Sequence, residues 1–113
     1  MPKVYVTNYN GNYDYSKAEA FGELINMTQG FIPSHRYDVA VKTFENYAKT
    51  ASDEDYLLLS GSNLVCGLAV AAWLKHRKSC NLLQHGKSWD EAKNSIPTYL
   101  SYHVTLDNKR KVT

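Results

Sequence analysis

The stretch of sequence that decides the fold is DYLLLSGSNLVCGLAVAAWLKHRKSCNLLQHG, residues 55–86. Residues 56–59 form a continuous apolar run, which is typical of a β-strand covered on both faces. A polar turn over residues 60–63 follows, and the apolar segment 62–77 then predicts a buried helix. A second apolar run over residues 80–84 predicts another strand. This order predicts a parallel strand–helix–strand unit with a right-handed crossover.

The segments before this unit continue the alternation of strands and helices. Residues 3–7 are rich in β-branched and aromatic side chains, which predicts a strand, and residues 24–28 predict a second one. Between them, Ser16 lies three residues before Glu19, a pairing that predicts a capped helix beginning at Ser16. Apolar side chains three and four residues apart predict an amphipathic helix over residues 35–50.

The C-terminal segment predicts one more strand. Residues 89–92 predict a helical turn, and residues 98–106 alternate apolar and polar side chains, as in a strand exposed on one face. Gly86 permits a turn and no crossover helix intervenes, so we expect the last strand to lie antiparallel to its neighbour. Five strands and three main helices predict a single Rossmann-like α/β sandwich over residues 1–113, with a mostly parallel sheet. Residues 109–113 are expected to form a frayed basic tail.

Composition and charge exclude several classes of protein. The 113 residues are 43% hydrophobic and 21% charged with a net charge of +2, a composition that does not indicate nucleic-acid binding. The longest uncharged helical stretch, residues 62–74, is shorter than the about 20 residues of a membrane span. Cys66 and Cys80 show no zinc-binding spacing, so we expect no metal, no cofactor and a reducing, cytoplasmic location.

Candidate ligand-binding residues follow two of the predicted strands. The carboxyl ends of parallel strands meet at one edge of a sheet, where open α/β sheets bind ligands. Gly61 permits a close backbone approach, and Ser62 or Asn63 caps a helix whose first amides carry partial positive charge, which favours a phosphate. The turn lacks the glycine pattern of dinucleotide sites and the lysine of nucleoside-triphosphate loops. The same residue types also serve simply to start a helix.

The loop after the first strand contributes polar and aromatic side chains to the same edge. A second helix N-terminus at Ser16 would place two anion-attracting helix ends at one crevice, with Tyr13 stacking on a base. The alternative is that Asn and Asp side chains of this loop fold the loop on itself. The predicted ligand-binding residues are Asn8, Tyr13, Ser16, Ser60, Gly61, Ser62 and Asn63.

The sequence contains no catalytic constellation, since Ser60 and Ser62 lie outside any nucleophile-elbow pattern. We therefore expect a binding protein rather than an enzyme. The helix predicted over residues 62–77 is apolar on every side, so a partner subunit is expected to cover the side that the sheet leaves open, which gives a homodimer. The alternative is that the helix 35–50 and the C-terminal segment cover it within one chain.

The chain resembles small α/β proteins of unassigned function that bacteriophages and other mobile elements carry, in the pattern KVYVTN…DYSKAEAFGELINMTQG…DYLLLSGSNLVCGLAVAAWLKHRKSCNLLQHG over residues 3–86. The resemblance implies a Rossmann-like protein in the host cytoplasm that acts by binding. Two functions are expected on this basis. The first is binding of a nucleotide-type or other phosphorylated small ligand, such as a host defence signal. The alternative is inhibition of a host defence or replication protein through protein–protein contacts, without a small ligand.

Overall fold

The structure is a computed structural model that describes residues 2–90 and 94–105, with the side chains of residues 2–86 and 99–105. Strands and helices alternate along the chain. Their order is β1 (Lys3–Val6), a 3₁₀ turn (Ser16–Ala20), β2 (Glu23–Asn26), a second 3₁₀ turn (Ser34–Arg36), α1 (Tyr37–Thr50), β3 (Tyr56–Leu59), α2 (Asn63–His76), β4 (Ser79–Asp90) and β5 (Asn94–Thr105).

The five strands form one sheet in the order β2-β1-β3-β4-β5. The first four strands of the chain are parallel where they pair, and β5 lies antiparallel to β4. This arrangement confirms the predicted five-stranded, mostly parallel sheet with an antiparallel last strand. β3 is central, and its consecutive residues Leu57 and Leu58 point to opposite faces and are only 0% and 1% exposed. The apolar run of β3 therefore marks a strand covered on both faces, as predicted.

Different parts of the chain cover the two faces of the sheet. On one face, α1 and α2 pack over Leu57, with Phe44 and Trp73 in the centre of the core. On the other face, Tyr15 and Ala18, from the connection between β1 and β2, pack with Leu58 and neighbouring strand residues. The connection that follows β1 and the helix that follows β3 therefore leave adjacent strands toward opposite faces.

The described residues contain two α-helices rather than the predicted three. The segment expected to be a capped helix is a 3₁₀ turn whose N-cap is Tyr15, with no side-chain cap hydrogen bond. The predicted cap at Ser16 is therefore wrong, and the Ser16 N–H instead donates to Asp14 Oδ1 at 2.9 Å. The loop as far as Tyr15 occupies most of the connection between β1 and β2, and the few residues that remain are too short for a stable α-helix.

β4 and β5 are longer than predicted because they pair along their whole length as an antiparallel hairpin. Trp89 and Asp90, which were predicted to begin a helical turn, are the last residues of β4, and residues 91–92 lie outside the described part. Pro97 fits because β5 is an edge strand, which can lose a backbone donor. The predicted basic tail, residues 109–113, also lies outside the described residues.

α2 is only partly covered within one chain. Val65, Ala69 and Trp73 are buried against α1 and the sheet, whereas Leu64 is 53% exposed. α1 thus provides part of the cover that the apolar sequence of α2 requires. In the part of the chain that the structure describes, no helix has the length and apolar character needed to cross a membrane.

Candidate functional site

The loops that follow β1, β2 and β3 surround a crevice at one edge of the sheet. These strands are parallel, so their carboxyl ends lie together, and a bridge between Tyr9 and Gln29 joins the first two loops. The connections after β1 and β3 diverge to opposite faces. Open α/β sheets bind ligands where neighbouring connections diverge in this way.

Two clefts open at this crevice, and they share Tyr13 and Gly61. The larger cleft has a volume of about 570 Å³ and the smaller cleft about 210 Å³. The larger cleft is lined by the three loops and the first turns of α1 and α2: Asn8, Tyr9, Asn10, Gly11, Tyr13, Gln29, Gly30, Phe31, Ile32, Tyr37, Gly61, Ser62 and Val65. None of these lining residues is charged, so binding there depends on amides, hydroxyls, aromatic rings and backbone dipoles.

Gly61 brings the turn after β3 against the loop after β1. Its φ is +107°, a conformation that favours glycine. A Cβ at this position would lie 2.9 Å from the Cβ of Asn8. The sequence predicts a close approach to the backbone at Gly61, and the loop after β1 makes such an approach through Asn8.

Ser62 is the N-cap of α2, as predicted, and its Oγ accepts the Val65 N–H at 3.2 Å. Because this oxygen acts as an acceptor, the hydroxyl proton remains available to a ligand. Among the described residues, the N–H groups of Asn63 and Leu64 have no hydrogen-bond partner. These donors lie at the positive end of a helix of 14 residues.

Thr7 supports the turn from the interior, and sequence reasoning missed it. Thr7 is fully buried, and its Oγ1 accepts the Ser60 N–H at 2.8 Å and donates to the Ser60 carbonyl at 2.5 Å. Thr28 donates its hydroxyl to the Thr7 carbonyl at 2.6 Å. The sequence feature that could have identified Thr7 is a threonine directly after a strand, where its hydroxyl can pair with backbone groups that no longer have a partner in the sheet.

Asn8 joins the three loops of the crevice to one another. Its Nδ2 donates to the Gly30 carbonyl at 2.9 Å, and its Oδ1 lies 3.1 Å from Thr28 Oγ1 and shares the one Thr28 hydroxyl proton with the Thr7 carbonyl. It lines the larger cleft, as the prediction of a ligand-binding residue requires. Both of its side-chain polar atoms are already hydrogen-bonded, so its main effect is to position the walls of the cleft.

The smaller cleft lies on the side of Tyr15, which is only 7% exposed. The Tyr15 hydroxyl accepts the Asn10 N–H at 3.1 Å and lies 2.8 Å from Ser60 Oγ. Tyr13 contacts Tyr15 edge to face and is 61% exposed at the mouth that both clefts share. The lining residues are Tyr13, Asp14, Tyr15, Leu58, Leu59, Ser60, Gly61, His85 and Tyr99.

Two ionisable groups of the smaller cleft have shifted pKa values. Hydrogen bonds from the N–H and hydroxyl of Ser16 hold the pKa of Asp14 below its ordinary value, so Asp14 is a carboxylate at neutral pH. Burial raises the pKa of Tyr99, and the nearby Tyr15 and Asp14 raise it further. Tyr99 is therefore a neutral phenol that can donate a hydrogen bond.

Two of the predicted ligand-binding residues, Ser16 and Asn63, line neither cleft. Asn63 lines a separate groove of about 640 Å³ along α2, although its backbone N–H lies at the start of the helix. The predicted pair of helix N-termini at one crevice is wrong, because the segment at Ser16 is a 3₁₀ turn. Among the described residues, the start of α2 borders the larger cleft through Ser62 and Val65, and the start of α1 borders it through Tyr37.

No group of three or more His, Cys, Asp or Glu side chains within the described residues is arranged to bind a metal ion. Burial raises the pKa of the Cys66 thiol and raises that of Cys80 to about 12. Both cysteines are therefore protonated and weakly reactive at neutral pH.

A family model described as "Phage Pam3 gp32-like protein" matches residues 2–104. The match begins just before β1, extends into the last residues of β5, and includes every residue that lines the two clefts. Comparisons with curated proteins and with solved structures found no match.

Proposed function

The chain belongs to the phage Pam3 gp32-like family, and from this premise we propose that it is a phage binding protein for a nucleotide-type or other phosphorylated small ligand. The observation that carries the proposal is the start of α2, where Gly61 and Ser62 border an uncharged cleft of about 570 Å³ and the next two amides along the chain have no partner among the described residues. Such a protein would sequester a host defence signal in the cytoplasm of the host.

The anionic group of the ligand binds at the start of α2. The N–H groups of Asn63 and Leu64 and the hydroxyl of Ser62 are its donors. A helix N-terminus favours an anion by about 0.3–1 kcal/mol when exposed and about 2 kcal/mol when partly buried. Because no lysine or arginine lines the larger cleft, a group of low charge fits better than a triphosphate, and we expect micromolar affinity.

Aromatic side chains supply the remaining contacts of the proposed site. Tyr13 is 61% exposed at the mouth of both clefts, where it can stack on a base. Phe31, at 90% exposure, and Tyr37 extend the apolar wall of the larger cleft. Stacking of a base on an aromatic side chain contributes about 1–3 kcal/mol, which adds to the contributions of the helix terminus and of the hydrogen bonds at the start of α2.

Calorimetry with a panel of linear and cyclic nucleotides tests this function. Ser62→Ala removes a donor to the anion, so we expect a roughly tenfold loss of affinity. Ser34→Ala is the matched control, because Ser34 is exposed, begins a 3₁₀ turn and lines neither cleft. Wild-type protein that binds no member of the panel would overturn the proposal, and equal binding by the Ser62→Ala protein would place the anion elsewhere.

A second candidate function is inhibition of a host defence or replication protein through protein–protein contacts. Phe31 and Val39 are 90% and 46% exposed and border a groove between the loop after β2 and α1. Exposed aromatic side chains often dominate protein interfaces. A host protein captured by wild-type protein and by the Ser62→Ala variant, but lost with Phe31→Ala, would support this function. Capture of no host protein would reject this function, and equal capture by all three proteins would place the contact away from Phe31.

The outer side of α2 supports the proposed homodimer. Leu64 is 53% exposed, and the groove of about 640 Å³ along α2 is lined by the small residues Gly67 and Ala71, which allow close approach of a second helix. Light scattering in dilute solution is expected to show a dimer that Ala71→Glu dissociates. A single species of 12.8 kDa for the wild-type protein would reject the homodimer.

A further inference from the structure

Tyr99 carries a buried hydroxyl that has no hydrogen-bond partner among the described residues. It lies on β5 opposite His85 of β4, and the two ring centroids are 5.4 Å apart in an edge-to-face arrangement. Folded proteins leave few buried polar groups unpaired, and those that remain often mark a functional contact. The Tyr99 side chain lines the smaller cleft, so a ligand there can supply the missing partner once the side chains that cover the hydroxyl shift.

The smaller cleft offers a second donor beside Tyr99. The Tyr15 oxygen accepts the Asn10 N–H at 3.1 Å and lies 2.8 Å from Ser60 Oγ, a contact in which either hydroxyl can donate. When Tyr15 donates in this contact, the Ser60 hydroxyl proton is free for a ligand. The cleft therefore contains donor hydroxyls on one side.

An acceptor and flat rings complete the smaller cleft. Asp14 is exposed and lines the cleft with a carboxylate, while the rings of Tyr13, His85 and Tyr99 form walls. A carboxylate repels a phosphate and accepts hydrogen bonds from amino and ring N–H groups. The donors and the acceptor can pair with the polar edge of a heteroaromatic base, and the aromatic rings can contact its faces.

We propose that the smaller cleft binds the base of the nucleotide, an inference that rests on the proposed function. Its volume is about 210 Å³, compared with about 570 Å³ for the larger cleft. Gly61 borders both clefts, so a sugar passing over Gly61 joins a base in the smaller cleft to a phosphate at the start of α2. Tyr13 closes over the base from the shared mouth.

Calorimetry with the nucleoside monophosphates of several bases and with ribose 5-phosphate tests the inference. Wild-type protein is expected to bind at least one monophosphate roughly tenfold more tightly than ribose 5-phosphate, because the sugar phosphate lacks the base. Tyr99→Phe should weaken that nucleotide by about five- to tenfold and leave ribose 5-phosphate unchanged. Tyr102→Phe is the matched control, since Tyr102 lies on the same strand and is 66% exposed.

A second measurement separates a binding role of the hydroxyl from a structural one. Tyr99→Phe keeps the ring and removes only the unpaired hydroxyl, so the Tm of the ligand-free protein should not fall relative to wild type. A fall in Tm that Tyr102→Phe does not share would show that the hydroxyl supports the fold, and it would overturn the inference.

The binding results also distinguish this inference from the proposed function. If ribose 5-phosphate binds as tightly as every monophosphate and Tyr99→Phe behaves as wild type, the base subsite is overturned while phosphate binding at α2 stands. If wild-type protein binds neither the monophosphates nor ribose 5-phosphate, both proposals are overturned.

Discussion

Alanine at Gly61 is expected to destabilise the protein far more than alanine at two other glycines. Gly61 has a φ of +107°, and an added Cβ would lie 2.9 Å from Asn8 Cβ. The left-handed backbone costs an L-residue about 1–2 kcal/mol, and overpacking costs about 1–3 kcal/mol. We therefore expect Gly61→Ala to lower the free energy of unfolding by about 2–5 kcal/mol.

The other two glycines separate the causes of this effect. Gly30 has a φ of +78° and open space around an added Cβ, so Gly30→Ala should lower the free energy of unfolding by about 1–2 kcal/mol from the backbone alone. Gly67 lies within α2, also with open space inside one chain, and Gly67→Ala should raise the free energy of unfolding of the monomer by about 0.5–1 kcal/mol.

Urea unfolding followed by circular dichroism measures all three variants on one scale. With a denaturant slope of about 1–3 kcal/mol per molar, the midpoints should rank Gly61→Ala lowest, then Gly30→Ala, then wild type, then Gly67→Ala. Equal midpoints for the Gly61 and Gly67 variants would refute the reasoning about the turn. Equal midpoints for the Gly61 and Gly30 variants would refute only the contact with Asn8.

Three further predictions concern buried or paired side chains. Thr7→Val should lower the free energy of unfolding by about 2 kcal/mol, because it leaves buried backbone groups unpaired. The control Thr43→Val, at a partly exposed helix position, should change the free energy of unfolding by less than about 0.5 kcal/mol. Equal urea midpoints for the two variants would contradict this prediction. A hydrogen bond from His76 and contacts with a lysine lower the pKa of Glu45 from 4.5 to about 2. The ionised form of Glu45 therefore adds stability above pH 4.5, and this stability is lost as the pH falls toward 2. Glu45→Gln should weaken this dependence of Tm on pH. An unchanged profile of Tm against pH would exclude the pairing of Glu45 with His76 and the lysine. Burial raises the pKa of Cys80 to about 12. In a Cys66→Ser background, a disulfide reagent should therefore label the Cys80 thiol only as fast as the chain unfolds. Immediate labelling would show that the Cys80 thiol is accessible in the folded protein.

The central part of the fold could be predicted from the sequence because its signals are local. The apolar run at residues 56–59, the cap at Ser62 and the apolar helix after it each depend on neighbouring residues. The predicted helix at Ser16 failed for a reason that a local pattern does not contain. The loop before it folds back on Tyr15, and the hydrogen bond from Asn10 to the Tyr15 hydroxyl keeps it there.

The site was only partly predictable because its supporting contacts join distant segments. Thr7 and Ser60 are 53 positions apart, and nothing near Thr7 in the sequence indicates that the two will pair. Tyr99 reaches the smaller cleft only because β5 turns back along β4, which places it opposite His85. The turn residues Gly61 and Ser62 were identified because their conformational preferences are intrinsic to the residues.

The central claim is that the start of α2 binds the phosphate of a nucleotide-type ligand. An NMR titration of ¹⁵N-labelled protein with the nucleotide panel tests this claim directly, because each backbone amide reports separately. We predict saturable shifts, with micromolar midpoints, that are largest at the amides of residues 61–64 and smaller at residues 29–31. The absence of any shift at millimolar nucleotide, or shifts confined to the outer side of α2 or to α1, would contradict the account.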